Sequence, residues 1–164
     1  MTKGSIMDTV ENIFAQARQM GAQPVSFEIF PPKGELSMES ARTIAQELAK
    51  LDPAFISVTY SAGGSGNKQA TAEIAAMIQD DHDVPAVAHL TCAGASQQSI
   101  STAVADMKDR GIRNVLALRG DLPEGYEPGI SCTPKILSRC WRTPAFAWAL
   151  RRIPRATSIA IRFD

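Results

Sequence analysis

No stretch of this 164-residue chain approaches the roughly 18 uninterrupted apolar residues that a membrane-crossing helix requires, although 45% of its residues are hydrophobic. Its opening residues, Met1 to Asp8, hold no apolar segment of the kind a secretory signal carries. Cysteine is scarce: there are three, an odd number, with no C-x-x-C pair. That pattern excludes a disulfide scaffold, offers no zinc site, and fits a reducing compartment. The expectation is a soluble, cytoplasmic protein with no metal and no membrane partner. The dinucleotide fingerprint G-x-G-x-x-G is also missing. The first apolar strand ends in Phe30-Pro31-Pro32-Lys33, and the later cluster Gly63-Gly64-Ser65-Gly66 matches neither that fingerprint nor a P-loop.

What the chain does have is alternation. Ile6, Val10, Ile13, Phe14 and Ala17 recur at helical spacing and predict a helix over 6–20, stopped by Gly21. Val25–Phe30 reads as a strand closed by two prolines. Ser37 can cap a helix over 38–50, and Asp52-Pro53 breaks it. A strand over Phe55–Tyr60, a helix over 68–79, a strand over Val84–Leu90, a helix over 97–110 capped by Ser96 and a strand over Ile112–Leu118 follow. Strands and helices at this spacing predict an α/β protein with a parallel sheet. An open doubly wound sheet and a (β/α)8 TIM barrel both suit it. Polar residues within the strands favour the barrel, of which about four βα units, the first half, are present.

Those polar residues sit where parallel sheets place chemistry, at the C-terminal strand ends. Glu28 lies between Phe27 and Ile29, where a carboxylate is costly unless paired or protonated. It is either a structural ion pair or a general acid whose raised pKa suits proton donation. Thr59 ends the second strand and could be an ordinary β-branched strand residue. His89 ends the third and could be a satisfied core imidazole, while His82, in Asp80-Asp81-His82-Asp83, reads as a solvated loop residue. The fourth strand runs into Leu118-Arg119-Gly120-Asp121, where the arginine could form a salt bridge and the aspartate could cap a turn. Cys92 has no neighbouring cysteine for redox work. Tyr60 and the glycine loop after it are weaker candidates for closing over a ligand.

Four segments, Ser26-Phe27-Glu28-Ile29-Phe30-Pro31-Pro32-Lys33, Val58-Thr59-Tyr60, His89-Leu90-Thr91-Cys92 and Leu116 to Pro123, stand in an order and spacing that resemble the methylenetetrahydrofolate reductase family over residues 10–129. The resemblance implies a barrel with FAD across its C-terminal rim. It implies hydride passing from NADH or NADPH to the flavin and on to 5,10-methylenetetrahydrofolate, yielding 5-methyltetrahydrofolate for methionine synthesis. Glu28 would be the acid that helps open the folate imidazolidine ring. Asp121 would be catalytic and lie near flavin and pterin. Thr59, His89, Leu118, Arg119, Gly120 and Asp121 would contact FAD. The partner would be a folate substrate, not nucleic acid, and the family implies a homo-oligomer.

The chain then changes character. Residues 1–129 hold 10 Lys/Arg against 16 Asp/Glu, a net −6, and residues 130–164 hold 7 against 1, a net +6. Both tryptophans lie in the second part, and prolines at 134, 144 and 154 interrupt any long helix. The expected organisation is a partial flavin-binding barrel over 1–129 and an irregular basic tail over 130–164. The tail reads either as a shifted-frame translation, the preferred expectation, or as a basic binding segment. In the gene, sequence across codon 129 decides between them. As it stands the chain is expected to be a truncated, weakly active or inactive form. The alternative is a non-catalytic half-barrel subunit that associates with another chain.

Overall fold

Short-range chemistry sets the helices. In the computed structural model, which describes residues 8–32, 37–60, 68–91, 95–118 and 158–162, α1 spans Val10–Gln19, α2 Met38–Ala49, α3 Lys68–His82 and α4 Gln97–Asp109. Thr9, Ser37 and Ser96 cap α1, α2 and α4, each hydroxyl accepting from the amide three residues on. Beyond α4, Gly111 turns to φ +70°, and the amide of Ile112 closes back on Met107 O at 2.9 Å. Helix α3 runs three residues past its expected end. His82 is therefore the last helical residue rather than part of a loop, and Asp83, at φ +52°, turns the chain away. Among the described residues no helix is long and apolar enough to cross a membrane.

The strands β1 (Ser26–Ile29), β2 (Phe55–Val58), β3 (Ala86–Thr91) and β4 (Asn114–Leu118) pair parallel in chain order. A doubly wound sheet reverses its order at a switch point. This one does not reverse over its four parallel strands, so the described sheet is singly wound. Alternation then divides the sheet. Ile29, Ile56, Val58, Ala86, Ala88, Leu90, Val115 and Ala117 are buried in one cluster with α2, α3 and α4, where Ala45, Ile74, Ile78, Ile100 and Met107 lie. The alternate register positions (Ser26, Glu28, Phe55, Ser57, Val87, His89, Thr91, Asn114, Leu116 and Leu118) form the opposite, inner face, on which Ser57, Val87, His89 and Asn114 are also buried.

Helix α1 closes the N-terminal end of that inner face. Asn114 Oδ1 accepts from the amide of Val10 at 3.0 Å, and its Nδ2 donates to Asp8 O at 3.1 Å. Phe14 meets Phe55 edge to face, with ring centroids 6.2 Å apart. Among the described residues, α1 thus packs at the N-terminal end of the face.

Within the tail the described residues are 158–162. Ser158–Arg162 forms β5, antiparallel to β4, with Ile159 and Ile161 opposite Ala117 and Val115. The prolines at 134, 144 and 154 all precede it, so its amides can pair. A five-residue alternation beside an open sheet edge is enough. Ala160→Pro removes one of those amides. It is expected to speed hydrogen exchange of the β4 amides while leaving β2 and β3 unchanged. Mass-spectrometric exchange on the two proteins checks this, and equal β4 rates would rule the pairing out.

Candidate active site

Parallel register carries the site together. Glu28 on β1 stands directly opposite Ser57 on β2, and His89 lies two residues along β3 from Ser57's partner Val87, on the same face. The Glu28 carboxylate meets both neighbours through one atom. Its Oε2 lies 3.6 Å from His89 Nε2 and 3.5 Å from Ser57 Oγ. Ser57 can also donate to Phe27 O at 3.3 Å. Thr59 continues the ladder one step past β2. Its amide donates to Ile29 O at 3.0 Å, and its carbonyl accepts from Thr71 Oγ1 at 3.0 Å. Leu118 ends β4 opposite Thr91 and is half-buried.

Burial differs sharply across the cluster. His89 is 7% exposed, whereas the Glu28 side chain is 49% exposed. The expectation of a buried carboxylate therefore fails. Glu28 is on the edge strand among β1–β4. The ion-pair reading of Glu28 has a partner in His89. Burial pushes the His89 imidazole below its usual 6.5, and the Glu28 carboxylate pulls it partway back.

Stability follows from that shift. An unfolded chain takes up a proton at His89 near pH 6.5, and the folded one does so only at lower pH. Between those two points the unfolded state binds more protons, so stability falls as pH drops and is fullest above 6.5. His89→Gln is expected to flatten this slope. Urea midpoints at pH 7.5 and 5.5 for both proteins measure it; parallel slopes would contradict it.

Of the residues expected at the site, Glu28, Thr59, His89 and Leu118 gather on one face toward one end of the sheet. Arg119, Gly120 and Asp121 lie outside the described residues, as do the glycine loop and Cys92. Tyr60 is partly buried and packs against the hydrophobic core. Two contributors escaped sequence reasoning. Thr71, wholly buried, fixes the Thr59 backbone; its signal was a hydroxyl among the alanines of α3. Ser57 is the other, a small hydroxyl among the apolar residues of β2, and its place beside Glu28 comes from the strand register.

The winding and the convergent polar cluster define the class: a singly wound parallel β/α protein with a polar cluster on the inner face toward the C-terminal strand ends. Within that class the assignment is specific. The family model for methylenetetrahydrofolate reductase matches residues 13–135, and the chain belongs to that family. It is 40% identical over 113 residues to the 5,10-methylenetetrahydrofolate reductase of Pectobacterium carotovorum, covering 68% of this chain and 38% of that protein. The Escherichia coli reductase is 39% identical over 109 residues, 66% of this chain and 36% of its own length. Methylenetetrahydrofolate reductase (NADH) 1 of Arabidopsis thaliana is 36% identical over 122 residues, 74% of this chain and 20% of its own. The matched segment thus spans well under half of these relatives.

Proposed function

We propose that this chain carries the first half of a flavin-dependent reductase barrel that converts 5,10-methylenetetrahydrofolate to 5-methyltetrahydrofolate, with NADH or NADPH as donor. The observation that supports this most is the convergence of Glu28, Ser57 and His89 on the inner face of a singly wound sheet, in a chain of this family. The rim suits a polar heteroaromatic cofactor. A buried imidazole, the Thr59 position and a half-buried leucine supply both hydrogen-bonding and apolar contact along one face. Thr59, His89 and Leu118 would hold FAD together with Arg119, Gly120 and Asp121, where a guanidinium suits flavin or pyrophosphate oxygens. When bound there, the flavin supplies hydride transfer between nicotinamide and folate.

The protein's own contribution is proton management. Glu28, half-exposed at the rim, donates a proton to the folate ring nitrogen whose C–N bond breaks, and the electron pair of that bond stays on the nitrogen. The iminium carbon left behind accepts hydride. Asp121 orients the pterin. A complete rim takes eight strands. The 164-residue polypeptide on its own is therefore expected to bind FAD poorly and turn over slowly or not at all. Purification in excess FAD followed by visible absorption tests this, and stoichiometric yellow protein would overturn it. Joining residues 13–118 to the remainder of the Escherichia coli relative should restore flavin and reductase activity. A well-folded chimera without flavin would defeat the functional reading.

A second reading, a half-barrel that works by association, draws on the apolar band beside β1. Val25, Phe30 and Ile44 are each about half or more exposed there. Size-exclusion chromatography with flavin detection separates the two: a defined oligomer without flavin favours association.

A further inference from the structure

Among the described residues, the close polar contacts of the Glu28 carboxylate fall on one oxygen. Oε2 lies 3.5 Å from the Ser57 hydroxyl, whose single proton also has Phe27 O within reach at 3.3 Å, and 3.6 Å from His89 Nε2. At 3.6 Å the imidazole contact is electrostatic rather than a formed hydrogen bond. The two neighbours differ from Glu28 in one respect: both are nearly buried, Ser57 8% and His89 7% exposed. Both are also fixed. Strand pairing sets Ser57 opposite Glu28, and His89 stands in the six-residue strand β3 between β2 and β4. A half-exposed carboxylate on the edge strand thus lies against two nearly buried polar neighbours. Contacts of this length in a free site shorten when a ligand closes over them.

We propose that Ser57 is a positioning residue: with His89 it engages Oε2 of Glu28, leaving Oε1 as the oxygen that faces the ligand and carries the transferable proton. The significance for catalysis rests on the reading of Glu28 as the acid; the clamp itself does not. Ser57 has no charge to contribute. It acts by holding the glutamate beside the imidazole.

That arrangement has a readout independent of turnover. Among the described residues Glu28 is the charged group set against His89; the β2 neighbours Ser57 and Thr59 and the β4 partner Leu116 do not titrate in this range. The chain has two histidines, so the imidazole resonances of His82 and His89 are assignable by substitution. In NMR titrations of the 164-residue protein, Glu28→Gln is expected to lower the His89 midpoint further, because the carboxylate that raises it is gone. Ser57→Ala should move the midpoint partway in the same direction, since the freed glutamate spends less time beside the imidazole. Ser57→Thr, which restores a hydroxyl, should bring it back. A wild-type midpoint in Ser57→Ala, beside a lowered one in Glu28→Gln, would overturn the role of Ser57. No change in Glu28→Gln would overturn the clamp.

In the reductase chimera, Ser57→Ala is expected to lower kcat by about tenfold with KM for folate little changed. If the NMR shifts appear but Glu28→Gln leaves turnover intact, the clamp stands and the acid assignment falls.

Discussion

Glu28→Gln in the reductase chimera is expected to cut turnover of methylenetetrahydrofolate by about 10²–10⁴-fold, the usual contribution of a positioned general acid. Glutamine keeps the shape and can still meet Ser57 and His89, but it has no proton to give at ordinary pH. Flavin content should hold, because the substitution leaves Thr59, His89 and Leu118 in place. Oxidation of NAD(P)H with an artificial electron acceptor should also continue, since that half-reaction needs no proton on folate. Stopped-flow measurement of the two half-reactions separates these outcomes. An equal loss in both would mean that Glu28 supports the cofactor rather than the folate.

Ile78→Ala should produce the largest loss of stability. Ile78 is fully buried on α3, in the cluster formed with the outer face of the sheet and with α2 and α4. Truncating a fully buried isoleucine costs about 2–5 kcal/mol, transfer and cavity terms together. Domains of this size are stable by only about 5–15 kcal/mol. A drop of roughly 1–2.5 M in the urea midpoint follows for a typical slope of about 2 kcal/mol per M. Ile44→Ala is the control: that side chain is 51% exposed on α2 and should cost well under about 1 kcal/mol. Similar losses for both would mean that α3 is not the keystone of this core. By contrast the exposed Arg42–Asp81 pair between α2 and α3 should matter little, as solvated ion pairs do.

The chain's local grammar was readable from its residues. Hydroxyls at 37 and 96, glycines at 21 and 111 and the spacing of Ile, Val and Ala located four helices and four parallel strands. Capping and amphipathic periodicity act over three or four residues, so they are written where they act. Four motifs in order were enough to indicate the family. Relations between distant segments were not written there. Asn114 holds the start of α1 across 104 residues of chain, and Ser57 reaches Glu28 across 29. Strand β5 pairs with β4 though nothing in its five residues names that partner. Whether Glu28 is buried depended on which sheet edge is covered. Register and edge pairing decided all of these, because the free energy of a cross-strand contact belongs to two segments at once, and neither encodes the other's position.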